Sequence, residues 1–443
     1  MAIITDQFRR YLVQKIIEDT TASPVTARYF LGIGRSQAWN DTDTAPDPIN
    51  GIGEQRNFRL NLQSLKQVGS SNITFTVPRY NWISGTIYSA YSNFIAGYPT
   101  NPYYVFTEDN NVYVCLERGK NNLGSPSPST IKPTGTGTIK TADGYVWKFL
   151  YNVGVSASNS FLSSNFLPIK FLESDPGLGA DAAQWTVQQA AVAGTISNIE
   201  VTGGGSGYTS APTVTIQGNG TGAVATATVS GGQVVKIEVR TSGGTYTPGS
   251  GYDYANLVIS GGGGSGATAR VNLAPANGFG ANPLNDLKCT GIMFTSDIAG
   301  TDPDFIVGQD FRQIGIIKDP VNGSGTAITS ATASALTYMT LSSGSGFAKD
   351  KIIQGTTSGA KAYIDDISGS TIYYHQDDTT GFLAFQNGEP ITETNGSGSG
   401  TISVASNIGD IDRFGGEILY IDNRANVDRD SDQTEALKVI IQL

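Results

Sequence analysis

Between Gly194 and Val271 the chain carries the same pattern twice. The first copy reads Gly194-Thr-Ile-Ser-Asn-Ile-Glu-Val, a glycine-rich turn from Gly203 to Tyr208, Ala211-Pro-Thr-Val-Thr-Ile, and Gly220-Thr-Gly-Ala-Val-Ala-Thr-Ala. The second begins 38 residues later as Gly232-Gln-Val-Val-Lys-Ile-Glu-Val and continues through Gly251-Tyr-Asp-Tyr, Asn256-Leu-Val-Ile and Gly264-Ser-Gly-Ala-Thr-Ala. Each copy predicts about three short strands separated by glycine turns. Such a unit cannot bury a face alone, so the two copies are expected to pack together as one small β-domain.

The rest of the chain has a related texture. Glycine accounts for 55 of 443 residues, and charged residues for only 15%. Gly, Ser and Thr lower helix propensity, so short strands and tight turns are favoured over long helices. The 20 Tyr and 18 Phe supply the apolar area that a disordered chain lacks. A net charge of −10 argues against a sequence-independent nucleic-acid binder, which needs a basic face. No apolar run approaches the length of a membrane-spanning helix, and Met1 to Asp19 alternates apolar with charged residues, unlike a secretory leader. Cys115 and Cys289 read as two buried small apolar residues of a protein that folds in a reducing compartment.

Helical spacing of Phe8, Tyr11, Leu12, Val13, Ile16 and Ile17 predicts one N-terminal helix, ended by Thr20 to Pro24. Strands are predicted at Arg28–Gly34, Asn72–Asn81, Val112–Leu116 and Gly144–Tyr151. Residues 51–68 are ambiguous between strand and a second short helix lined by Phe58, Leu62 and Leu65. A second Gly/Ser-rich island, with strand candidates at Thr337–Leu341, Ala360–Ile364 and Ser370–Tyr374, follows Val321. The fold class expected is mainly β and multi-domain: a discontinuous β-sandwich-like core with a short N-terminal helix and two inserted small β-domains. The core takes residues 1–193, 276–320 and 408–443, and the insertions take 194–275 and 321–407.

Candidates for chemistry are few. Any Ser–His–Asp or Cys–His site must use His375, which reads as an ordinary half-exposed residue at a strand end. One His and two distant Cys do not make a zinc set. Asp428-Arg-Asp-Ser-Asp-Gln-Thr-Glu resembles a calcium loop at first sight, but Gln433 and Ile440 stand where Gly and Glu are needed. The glycine clusters lack the strand–loop–helix setting of a phosphate cradle. No catalytic residue, cofactor or metal ligand is therefore assigned, although two carboxylates suffice for glycoside hydrolysis. Interfaces favour Trp and Arg, which singles out Arg35, Trp39, Trp147, Arg312 and Arg424 as candidate assembly residues.

Four phrases in order carry a resemblance: Phe30-Leu-Gly-Ile-Gly-Arg-Ser-Gln-Ala-Trp39, Asp143-Gly-Tyr-Val-Trp-Lys-Phe-Leu150, Phe311-Arg-Gln-Ile-Gly-Ile-Ile-Lys-Asp-Pro320, and Gly416-Glu-Ile-Leu-Tyr-Ile-Asp-Asn-Arg424 with Asp432-Gln-Thr-Glu435 after it. Over residues 8–190, 276–320 and 408–443 the chain resembles the baseplate wedge subunit of T-even-like contractile-tailed bacteriophages, the gene product eight family. Ala38 before Trp39 and Ala425-Asn426 after Arg424 depart from the family's pattern. The resemblance implies a structural, non-catalytic virion protein of a myovirus tail. It implies a homodimer that contacts other baseplate wedge proteins, with assembly in the host cytoplasm. Tail fibre proteins or the host surface are further partners open to the insertions; no nucleic acid or membrane partner is expected. Two other readings are a receptor-binding tail protein that uses the Gly-rich modules, and a polysaccharide-degrading baseplate enzyme.

Overall fold

The computed structural model describes residues 3–179, 181–305, 310–430 and 432–443. The protein is mainly β and multi-domain, built from short antiparallel strands with a few helices. Two compact units divide the chain: Met1–Val13 with Thr74–Met293 and Ile440–Leu443, and Gln14–Ile73 with Phe294–Val439.

The first unit is centred on a four-stranded antiparallel sheet in the order Tyr104–Phe106, Asn111–Glu117, Val146–Asn152, Thr138–Lys140. Val112 to Glu117 are all buried, as a strand covered on both faces must be. Its core is rich in tyrosine: Tyr88, Tyr103, Tyr104, Tyr113, Tyr145 and Tyr151 are all at most 1% exposed. Their rings meet edge-on, as Tyr91 does on Phe279 at 5.0 Å and 89°. Both cysteines are free and buried, Cys115 and Cys289 lying in different hydrophobic clusters.

The glycine repeat lies in the same unit, and its copies pair reciprocally. Ile196–Ser206 of the first copy pairs with Ser265–Leu273 of the second, and Gln233–Glu238 of the second with Thr226–Ser230 of the first. The middle strands, Thr213–Gly218 and Ala255–Ser260, pair with each other. Each copy also caps the other. A Cβ at Gly264 would lie 2.5 Å from Cγ of Tyr208, and one at Gly220 would lie 2.5 Å from Cδ2 of Tyr252. Only glycine leaves room for these rings, which explains why the sequence repeats Gly and Tyr together. The shared core contains Ile196, Ile199, Tyr208, Val234, Ile237, Val239, Tyr252 and Val271.

One carboxylate in this unit is buried without full compensation. Asp286 closes the short helix Pro283–Asp286 with no solvent exposure; Oδ2 accepts from Gly280 N–H at 2.9 Å and Oδ1 has no partner. Burial pushes its carboxyl up to about 8, against the opposing pull of the Gly280 N–H and Lys148. An acid whose folded pKa lies above its unfolded value stabilises fully below about pH 4, and that contribution is lost as pH rises through 8. Asp286→Asn is therefore expected to flatten the fall in thermal stability between pH 4 and 8. At pH 8 it should stabilise by roughly 2 kcal/mol, the scale of an unpaired buried polar group. Melting curves with the same pH slope in both proteins would remove this account.

In the second unit, a five-stranded antiparallel sheet runs Thr332–Ser334, Leu62–Val68, Tyr29–Gly34, Phe311–Lys318, Glu417–Val427. The ambiguous segment is both things in turn: helix Ile52–Asn61 runs directly into strand Leu62–Val68. Phe58 lies over the sheet where Gly32 and Gly315 face each other, and a Cβ at Gly315 would collide with its ring, 2.7 Å from Cε1 and nearer still to Cζ. That close approach accounts for the glycines in both strand phrases.

The second Gly/Ser-rich island contains a closed six-stranded barrel of Thr337–Ser345, Thr371–His375, Lys361–Ser368, Ile352–Gly355, Pro390–Glu393 and Ser399–Asn407. Closure removes the sheet edges, and the interior is filled by Met339, Ile353, Ala362, Ile364, Ile372, Ile391 and Ile402.

The N-terminal helix spans Asp6–Thr21. Of the apolar positions that define its spacing only Val13 is fully buried; Phe8 is 52% exposed and Tyr11 61%.

Candidate functional site

Four of the five candidate residues stand together in the second unit. Strand Tyr29–Gly34 ends at Arg35, whose φ of 61° turns the chain away from the sheet. The Arg35 guanidinium then lies 4.2 Å over the Trp39 ring, and burial lowers its pKa from the ordinary value. Trp39 donates its indole N–H to the Arg424 carbonyl at 2.8 Å, and its backbone N–H to Asp43 at 3.0 Å. Arg312 grips both Asp43 oxygens through Nε, at 2.8 and 2.9 Å, and reaches Asp310 at 3.0 Å and the Ser36 carbonyl. Its hydrogen bond, with that of the Trp39 N–H, holds the Asp43 carboxyl below the usual range.

These contacts divide the labour. Arg312 is only 7% exposed and pins the 36–43 loop onto strand Phe311–Lys318. Arg35 and Trp39 are half-buried, and Arg424 is exposed beside Asp422 at 3.6 Å. The surface part of the cluster is thus Arg35, Trp39 and Arg424. Trp147 stands elsewhere, fully buried in the first unit against Tyr145 (5.5 Å, 13°) and Tyr88 (5.5 Å, 74°).

Sequence reasoning missed what lies next to this cluster. The strand that carries Arg424, Glu417–Val427, is the last of its sheet. Beside it, residues 48–51, 54–55 and 418–421 line an open groove of about 280 Å³. Two of its aliphatic side chains are uncovered, Ile49 at 75% and Leu419 at 43% exposure, and Ile52, just after Gly51, is 85% exposed. Asn423 fastens the loop to the strand through the Pro46 carbonyl and Glu54. Ile49 lies in the loop before Asn50-Gly51 and Ile52 opens the helix after it, so no single period marks a face across the two.

His375 is not the half-exposed residue that its polar neighbours suggested. It ends its barrel strand at 1% exposure, with Nδ1 2.8 Å from an Asp365 oxygen and the ring stacked 5.4 Å from Tyr363. A register shift between Ile364 and Asp366 places Asp365 in a bulge, which re-aims its carboxylate inward. Nε2 is buried with no hydrogen-bond partner, so no hydroxyl or thiol completes a triad at this pair among the described residues. Nor does any group of three or more His, Cys, Asp or Glu among them have an arrangement suited to a metal. In the stretch that resembles a calcium loop, Glu435 is 7% exposed and pairs with Arg429 at 2.9 Å; residue 431 lies outside the described residues. No described helix is long and apolar enough to cross a membrane. Searches against family models and against curated proteins returned no match for the chain.

Proposed function

We propose that the chain is a non-catalytic structural subunit of a contractile phage tail baseplate wedge, held in place there as a homodimer. The four ordered phrases motivate the family reading. The observation that carries an assembly role is the uncovered side chains of Ile49, Ile52 and Leu419 at the last strand of a sheet, the strand that also carries Arg424 and holds Trp39 on its Arg424 carbonyl. Exposed aliphatic clusters rimmed by Arg and Trp mark surfaces that meet protein. A free sheet edge is a further invitation to pair. The occupant proposed is a second copy of the chain. Glu417 and Asp422 share the strand with Arg424, so both signs of charge are present on one edge, and a two-fold axis brings them together.

Light scattering of the purified protein is expected to give a dimer. Ile52→Glu with Leu419→Glu should give a monomer of unchanged circular dichroism; a dimer in the double variant would displace the interface from this patch. Tracing the chain in electron cryo-microscopy of intact tails tests the baseplate itself, where paired copies in each wedge are expected. The second reading, a receptor-binding tail protein, is favoured by the exposed Tyr254 (66%) and Val258 (41%) of the repeat module. Density confined to fibre tips would select it over the wedge.

A further inference from the structure

In the first unit, a pocket of about 90 Å³ lies where the repeat module meets the tyrosine-rich sheet. Its charged lining is Glu117, Arg118, Lys120, Glu200 and Glu238. All three carboxylates are taken. Glu117 is held by Arg240, Glu238 by Lys236 at 3.2 Å, and Glu200 by Arg270 at 2.6 Å. The two cations are not. The side chains of Arg118 and Lys120 are both half-buried, and neither makes an ion pair or hydrogen bond with any described residue. With the partners of the carboxylates counted, the neighbourhood carries two positive charges in excess.

Two adjacent, half-buried cations with no direct ion pair of their own are costly, and an anion that joins them relieves that cost. Burial and the Arg118 charge lower the Lys120 ammonium pKa, and the pull of Glu117, Glu238 and Glu200 does not offset them. The competing donors nearby are already engaged: Asn198 donates to the carbonyls of Tyr91 at 2.7 Å and Leu116 at 3.0 Å, and Ser92 donates to Asn272 at 2.7 Å. An incoming group would thus be gripped by Arg118 and Lys120. The guanidinium fork matches two oxygens of one group, and the ammonium supplies a point charge.

We propose that this pocket binds a single oxyanion head group, a phosphate, sulfate or carboxylate, between Arg118 and Lys120. The pocket has room for one such head group. The occupant would tie the end of strand Asn111–Glu117 to the strands Ile196–Ser206 and Gln233–Glu238 of the module. The inference is independent of the baseplate reading.

Calorimetric titration of the intact wild-type protein with inorganic phosphate, sodium sulfate and sodium acetate, at constant ionic strength, is the direct test. Saturable binding of at least one is expected, and the preferred anion tells a tetrahedral from a planar head group. Arg118→Gln with Lys120→Gln should weaken that binding at least tenfold. The same double variant should lose a stabilisation of about 2 °C that 50 mM of the anion confers on the wild type over matched chloride. The general stabilising effect of phosphate and sulfate acts on both proteins alike, so only the difference between them counts. Absence of saturable heat in the wild type would overturn the proposal. So would equal shifts in both proteins.

Discussion

Trp147→Ala is expected to cost about 3–5 kcal/mol of folding stability, the range for deleting a fully buried large aromatic. The ring has no exposure, stacks on Tyr145 and meets Tyr88 edge-on, in a cluster with Val105, Tyr113 and Phe149. Neighbouring strands, Cys115 on one side and Ile139 on the other, hold the backbone in register, so the cavity cannot close by collapse. The variant should fail by unfolding. Trp39→Ala should keep its unfolding midpoint near wild type and instead weaken self-association, because Trp39 is half-buried and bonds the Arg424 carbonyl on the edge strand proposed to pair. Denaturant unfolding and light scattering on the two variants separate these effects. A stable Trp147→Ala protein that no longer dimerises would reverse the assignment of the two tryptophans.

Arg240→Ala is expected to have a comparable effect, about 3–5 kcal/mol, by leaving Glu117 buried without its cation. The two side chains are 9% and 7% exposed, and Glu117 also accepts the Val239 N–H at 2.8 Å. Burial raises the Glu117 pKa even with Arg240 and that N–H opposing it. Removing Arg240 raises it further. A raised acid stabilises below its unfolded pKa and loses that contribution as pH rises through the folded value. The loss in Arg240→Ala should therefore be larger at pH 8 than at pH 4.5. Glu117→Gln combined with Arg240→Met should recover much of it, since a neutral pair leaves no buried charge. Hydrogen exchange should quicken first across 196–239, the strands that the pair fastens to the sheet. A loss below about 1 kcal/mol, or one independent of pH, would mean that solvent reaches Glu117 and screens it.

How far the sequence could be read depended on whether one local pattern governed a segment. The repeat announced its strands through alternation and glycine turns, and strand Asn111–Glu117 through an apolar run. Residues 52–68 were ambiguous because the period changes from helical to alternating at Asn61–Leu62 with no turn residue between. The N-terminal helix forms as its spacing predicts, yet Phe8 and Tyr11 remain in solvent, since periodicity says which residues share a face and not what covers it. His375 was misjudged from Gln376, Asp377 and Asp378, its polar neighbours in sequence, while its actual partner arrives through a bulge at Asp365 in another strand.

The sequence by itself determined the mainly β class and the repeat, because alternation, turn residues and propensity act within a few residues. Only the tertiary structure decided that the two repeat copies pair reciprocally, that Trp147 and Arg312 face inward while Trp39 and Arg424 reach the surface, and that Arg118 and Lys120 share a pocket. Those outcomes depend on which strands pair across long stretches of chain and on what each side chain then meets, information that no local window contains.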